Sequence, residues 1–487
     1  MTSNDLDTVD ESFWAYPEEF FRASQAGCPV AKLPGESGYI LTRYDDVRAA
    51  SVRVKDFSSH RPIFGEGDPE LEAIAATGYP EVATITSSDP PEHTRFRKLV
   101  YRAFTPEVVN GLAPNIRAIA DDLLQTVATA GRMDFVNQFA ELMPMYVMAD
   151  ALGISRADRS KFKVWSDNIV LTIAGYMVLT PELKRECKLS YVEFQHYFAE
   201  IIEERRANPG DDMISQLVLA SIDGERPLSV PEILDIIRIF LVAGNDTTSN
   251  LLAGGLLALL DNPSQLAEVQ ANRDLIPNMV EEALRFVSPS RWTTRTVRSE
   301  GADIAGCPVT GGERLRLGWG PANRDATRFP DPDTFDIHRD ASAHMAFGHG
   351  VHFCIGKDLA RAEAHIAFNA LFDTFTDFEL TVPRSAVRPL PCPPSTESTS
   401  CPSGSGPRTS LDDELNDARV PHPDCRPCRT GRGPDSRTRP RRGPGQGRCG
   451  RHLPQRRDDP NRAARARHAA ACHAGPRDHG NRRRGRA

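Results

Sequence analysis

Apolar residues recur at three- and four-residue spacing through most of the first 390 positions, a helical period. In Pro114–Gly131 the residues Ile116, Ile119, Ala120, Leu123, Leu124 and Val127 fall on one face, with Pro114 suited to a first turn and Gly131 to a stop. Ser229 to Leu260 reads as one long helix. Ser229 is its N-cap, Pro231 sits in its first turn, and Asp261-Asn262-Pro263 ends it. Leu275–Phe286 and Lys357–Phe372 are predicted helices as well. Strand signals are short and few, at Tyr39–Thr42, Thr294–Val297 and Arg314–Leu317. No repeat of about 20 to 50 residues is present. The predicted fold class is mainly α with small β-sheets.

The pattern stops near residue 390. The stretch 391–487 has no Ile, Phe, Tyr, Trp, Met or Lys, and holds six of the ten cysteines. It carries 21 Arg against 10 acidic residues, so the overall charge of −7 divides into +11 for this tail and −18 for the body. Such a composition cannot bury enough apolar surface to offset chain entropy, so disorder is expected. Lysine-free Arg-, Pro- and Gly-rich sequence is also what GC-rich DNA encodes out of frame, so a frameshift near 390 is a second expectation. Nucleic-acid binding is not expected, because no aromatic residue is there to stack on bases. Cys425-Arg-Pro-Cys428 lacks a second pair at zinc-ligand spacing. The expected division is therefore 1–390, a catalytic body, and 391–487, a tail.

The polar, acidic N-terminus lacks a basic and apolar leader. The longest apolar run, Leu251–Leu260, is about half a membrane span. A cytoplasmic protein without a membrane segment is expected. Ten cysteines in 487 residues do not suggest a disulfide scaffold.

Candidate chemistry concentrates in Phe347–Gly356, FGHGVHFCIG. Cys354 lies just before a predicted helix, where free backbone N–H groups and the helix dipole favour a thiolate. Gly348, Gly350 and Gly356 would let the backbone turn with positive φ and approach a flat group. A buried cysteine at a glycine turn, a zinc site and a catalytic thiol paired with His352 are the rival readings of these residues alone.

These ten residues resemble the haem-binding signature of the cytochrome P-450 superfamily, and the resemblance extends over about residues 15 to 385. It implies the triangular-prism fold and haem b, with Cys354 as proximal iron ligand and Phe347 and Gly356 beside it. Ala243–Thr248 (AGNDTT) lies mid-way along the long helix. Gly244 removes bulk there, and Thr247 can bond back to the preceding turn. The stretch resembles the family's distal motif, which implies that Asp246 and Thr247 relay protons. Glu282 and Arg285, at i and i+3, resemble a buried structural pair, which implies that Asn323–Asp325 and Arg339 complete it. His93 and Arg97, at i and i+4, share a helix face suited to an anion. The resemblance implies that these two bind the haem propionates together with Arg295 and His352.

The implied activity is monooxygenation of a lipophilic small molecule. Ile63, Phe64, Ile169, Val170, Ile173, Met177, Trp292 and Thr293 are the expected apolar lining. The body has no flavin or iron–sulfur motif, so a ferredoxin and an NAD(P)H-dependent ferredoxin reductase are the expected electron donors. Lys357, Arg361 and Arg102 are the expected docking cations. A haem-thiolate peroxygenase or isomerase, or a non-catalytic haem sensor, is the alternative. The family continues into a final β-hairpin where this chain has Pro389–Pro394 (PLPCPP).

Overall fold

The computed structural model describes residues 18–33, 38–60, 68–175, 179–298, 300–387 and 471–473; for 173–175 and 471–473 only the backbone is described. Ile63, Phe64, Met177 and most of the tail lie outside these residues, as does the Ile173 side chain.

The helices are α1 (Glu18–Ala26), α2 (Tyr44–Ser51), α3 (Pro69–Ala75), α4 (Glu92–Val100), α5 (Pro106–Ala128), α6 (Leu142–Ala151) and α7 (Arg159–Gly175). They continue with α8 (Pro181–Ala207), α9 (Met213–Leu219), α10 (Val230–Leu260), α11 (Pro263–Ala271), α12 (Ile276–Val287), α13 (Trp319–Asn323) and α14 (Lys357–Thr374). The strands are β1 (Val30–Lys32), β2 (Tyr39–Leu41), β3 (Phe57–Ser58), β4 (Arg132–Asp134) and β5 (Trp292–Val297), then β6 (Ala302–Ile304), β7 (Cys307–Val309), β8 (Arg314–Gly318), β9 (Glu379–Leu380) and β10 (Ala471–His473).

The long helix α10 forms where the sequence predicts it. Ser229 Oγ accepts from Glu232 N, and Ser229 N donates to Glu232 Oε2 at 2.8 Å, a closed capping box. Glu232 is further gripped by Arg226, through two bonds of 2.7 Å, and by Arg95 at 3.1 Å. Burial alone raises a carboxyl, but these partners bring Glu232 down to about 2. The helix is apolar on most sides because α6, α8, α12 and α14 pack around it. The main core lies here, among residues such as Phe240, Leu256, Ala283 and Phe368.

One predicted boundary is wrong. Pro114 does not open a helix; it lies inside α5, which starts at Pro106 behind the N-cap Thr105. Thr105-Pro106 is the stronger start signal, and burial of Val109, Ile116, Ile119 and Leu124 outweighs an interior proline's cost of about 3 kcal/mol.

A five-stranded sheet runs β1-β2-β8-β5-β3, with β2 and β8 parallel and the other pairs antiparallel. Its β5–β8 register sets Arg295 opposite Leu315. The hairpin β6–β7 is a separate two-stranded sheet. The backbone of β10 pairs antiparallel with both β4 and β9. No helix among the described residues is long and apolar enough to cross a membrane.

Candidate functional site

A cavity of about 450 Å³ is walled by α10, the start of α14, the loop Ala346–Gly356, α4 and β5. Eight sequence-predicted site residues line it: His93, Arg97, Thr247, Arg295, Phe347, His352, Cys354 and Gly356. Asp246 does not. It is buried behind the α10 wall, next to Thr247 in the chain.

Cys354 is delivered by the turn that precedes α14. Its N–H donates to Phe347 O at 2.9 Å, which closes the loop. Gly348 and Gly350 have φ of +70° and +79°, conformations that favour glycine. Gly356 departs from expectation: its φ is −86°, and a Cβ there would meet only Phe104 Cε1, at 3.7 Å. Backbone strain therefore does not explain that glycine.

The sulfur also departs from expectation. Burial pushes the Cys354 thiol above its ordinary value, against the Gly356 backbone hydrogen bond and the cations Arg97, Arg361 and Lys357. The helix terminus alone does not make a thiolate; a bound cation would. The rival pairing with His352 does not form. Gly350–His352 is a 3₁₀ turn rather than an extended run, and His352 Nε2 lies 2.8 Å from Ser59 Oγ. Among the described residues no group of three or more His, Cys, Asp or Glu side chains is placed to hold a metal ion.

Four cationic or hydrogen-bonding groups meet on one side of the cavity. The rings of His93 and His352 are 4.1 Å apart. Burial is the main cause holding both imidazoles neutral, His93 at about 4 and His352 at about 2, with Arg97 and Arg295 adding repulsion. His93 Nε2 is buried and has no hydrogen-bond partner. Buried polar atoms are normally paired, so His93 is a candidate donor to a bound group. Two arginines and two imidazoles around one space suit carboxylates. A half-buried thiol and a cluster of arginines and imidazoles on a single cavity fit iron protoporphyrin, which carries a metal centre and two propionates.

On the α10 wall, Thr247 Oγ1 donates to Ala243 O at 2.8 Å. A Cβ on Gly244 would point at Met148 Cε, 2.9 Å away, so that glycine serves packing against α6 as well as the cavity. Thr248 hydrogen-bonds Glu363 of α14, a fully buried carboxyl on the cavity wall that burial pushes up to about 8. Sequence reading missed Glu363, although its place on the Leu359/Ile366 face of a helix was a signal. It also missed Asp235 and Arg238, an ion pair that breaks an apolar run of α10 and lines the cavity with Glu81 and Lys188. Of the expected apolar lining, Ile169 and Thr293 are on the wall; Val170 and Trp292 are buried elsewhere.

Behind the cysteine loop, Glu282 and Arg285 form a fully buried pair, joined by Arg339 at 3.3 Å from Glu282. Asn323 accepts from Met345 N at 2.6 Å and donates to Ser288 Oγ at 2.9 Å, tying this network to the loop. Arg361 is not a free docking cation: it is bidentate to Glu281 at 2.6 and 2.8 Å, and its guanidinium lies over the Phe347 ring.

Comparison with known proteins agrees with this geometry. A family profile described as Cytochrome P450 matches residues 32–399. Cytochrome P450 107B1 of Saccharopolyspora erythraea is 36% identical over 354 residues, covering 72% of this chain and 85% of that one. Vitamin D(3) 25-hydroxylase of Pseudonocardia autotrophica is 37% identical over 380 residues, covering 77% and 90%. The crystal structure of CYP109E1 from Bacillus megaterium in complex with corticosterone superposes with a TM-score of 0.69 at 31% identity, covering 80% and 97%. The cysteine loop, the His93, Arg97, Arg295 and His352 cluster and α10 line one cavity, and with these matches the chain belongs to the cytochrome P450 family and is a haem b monooxygenase.

Proposed function

We propose that Cys354 ligates the haem iron, that His93, Arg97, Arg295 and His352 hold the propionates, and that Asp246 and Thr247 deliver protons. The observation that carries this reading is the shared cavity, which Cys354, Thr247, His93, Arg97, Arg295 and His352 all line. The bound haem supplies dioxygen activation and insertion of one oxygen atom into a C–H bond. The chain's own residues do the rest. Cys354 gives up its proton to become a ligand. Phe347 lines the cavity beside the cysteine loop, with the Arg361 guanidinium stacked over its ring. Thr247 donates to Ala243 O, which leaves its lone pairs to accept from a water through which a proton passes into the cavity. Asp246, behind the wall, acts through Thr247 or a water rather than by contact.

The substrate class is a polycyclic or macrocyclic lipophile. Support comes from apolar wall residues such as Ile169, Ile239, Phe240 and Leu251, and from the vitamin D(3) and corticosterone named for two similar proteins. The redox donors are a ferredoxin and its NAD(P)H-dependent reductase in the cytoplasm, which meet the exposed Arg102 and the half-buried Lys357 on the cysteine side. Residues 1–390 are the haem-thiolate monooxygenase body and 391–487 are a tail, whose β10 pairs with β4 and β9 of the body.

The test is direct. Purified, reduced and exposed to carbon monoxide, the full chain shows the red-shifted Soret band of thiolate ligation, and Cys354→Ala abolishes it. With a surrogate ferredoxin and reductase, a sterol or macrolactone that shifts the Soret band is hydroxylated at the expense of NAD(P)H. Retention of that band in Cys354→Ala, or reductant use without product across the panel, overturns the reading.

A further inference from the structure

Cys28 and Cys307 are 279 residues apart in the chain, yet their sulfurs lie 3.2 Å from one another. Both are reduced. Cys28 is exposed and Cys307 half-buried. Neither touches the haem cavity, and no other two described cysteines meet. The cysteine count alone gave no reason to pair them.

Each sulfur is presented by a fixed loop. Cys28 precedes β1 by two residues. Its thiol donates to Val30 O at 3.3 Å, and Arg43 clamps the approach by donating to Gln25 O and Gly27 O, both at 2.8 Å. Cys307 opens β7 after a tight turn in which Ala305 and Gly306 have φ of 51° and 84°, the geometry of a two-residue hairpin. That turn is held by Gly306 N to Asp303 Oδ1 at 3.0 Å and by Arg53 to Asp303 O at 2.7 Å. The hydrogen bond to Cys28 holds the Cys307 thiol above its ordinary value, with Arg43 opposing. Cys28, the more exposed of the two, meets an oxidant first.

We propose that Cys28 and Cys307 form a reversible disulfide, an oxidation site that ties the β6–β7 hairpin to the edge of the five-stranded sheet. The sulfurs need to close by about 1.2 Å to reach bonding distance. Hydrogen peroxide is the class of oxidant. The Cys28 thiolate attacks the O–O bond and becomes a sulfenic acid with loss of one water. Cys307 sulfur then attacks Cys28 sulfur and expels a second water. Two thiols lose two electrons and two protons, and one peroxide becomes two waters. The bond closes a very long loop, which restricts the unfolded chain. In a reducing compartment the pair stays open and closes only under oxidative load.

The experiment uses the purified full-length, haem-loaded chain and the thiol oxidant diamide, which takes the same two electrons and two protons to become a hydrazine. Free thiols are then blocked with N-ethylmaleimide, and the chain is digested without reduction. The expected result is a linked peptide containing Cys28 and Cys307 that separates on adding dithiothreitol. Oxidised wild type melts about 5 °C higher than reduced, and the gain is absent from Cys28→Ser and Cys307→Ser treated alike. Recovery of both cysteines as separate maleimide adducts, or linked chiefly to tail cysteines, overturns the proposal.

Discussion

Glu282 and Arg285, three residues apart on α12, meet through two hydrogen bonds of 2.7 Å with neither side chain reaching solvent. Arg285 spends its remaining donors on the carbonyls of Asn323, Pro332 and Thr334. The pair therefore staples α12 to the segment that leads into the cysteine loop. Removing one partner strands the other in the core, so Arg285→Ala is expected to cost about 3–5 kcal/mol. Arg285→Lys recovers little, because an ammonium cannot reproduce the fork. Urea unfolding measures both, and a loss under about 1 kcal/mol for Arg285→Ala would show the staple to be dispensable.

Glu363 makes stability pH-dependent. Its folded value is about 8 against an ordinary 4.5. Between those limits the unfolded chain sheds the proton and the native chain keeps it. Stability is therefore highest below about pH 4.5 as far as this group is concerned. It falls as pH rises to 8 by about 3–5 kcal/mol, then levels. Glu363→Gln mimics the protonated acid and still accepts from Thr248. Urea midpoints at pH 5 and pH 8 should draw closer together in that variant than in wild type. Equal spacing in the two proteins rules the carboxyl out.

Thr247→Ala removes a hydroxyl that makes one hydrogen bond to its own helix. Folding and haem content should hold. Product per NAD(P)H consumed should drop by about 10-fold or more as peroxide rises, the range for losing a proton-delivery group. Unchanged coupling would leave Thr247 a wall residue only.

His93→Ala deletes the orphaned donor. A charge-assisted hydrogen bond contributes about 1.5–3 kcal/mol, so haem should leave apomyoglobin-trap assays about 10–100 times faster. The thiolate spectrum should be unaltered, because Cys354 is untouched. An unchanged off-rate would remove His93 from the cradle.

What the sequence revealed and hid follows from the range of each signal. Ser229, Pro231 and Pro263 are local punctuation, so both ends of α10 were legible. The positions of Cys354, Thr247, His93 and Arg97 were legible through spacing and order along the chain. Long-range partnerships carry no local mark. Arg361 finds Glu281 across 80 residues, and Thr248 on α10 finds Glu363 on the neighbouring α14. The Cys354 thiol shows the same limit: helix position was readable, but the burial that opposes ionisation comes from the assembled core.

Glu232 sits fifteen residues before Thr247 on one uninterrupted helix, about 22 Å along its axis. That is too far for charge to matter through salt water, but a rod anchored at one end transmits position. Its fastening by Arg226, Arg95 and Ser229 sets where the hydroxyl stands over the reaction chamber. Reshaping the surface around residues 225–232 would thus be felt as lost coupling efficiency, an apparent chemical defect whose origin is a slipped ruler.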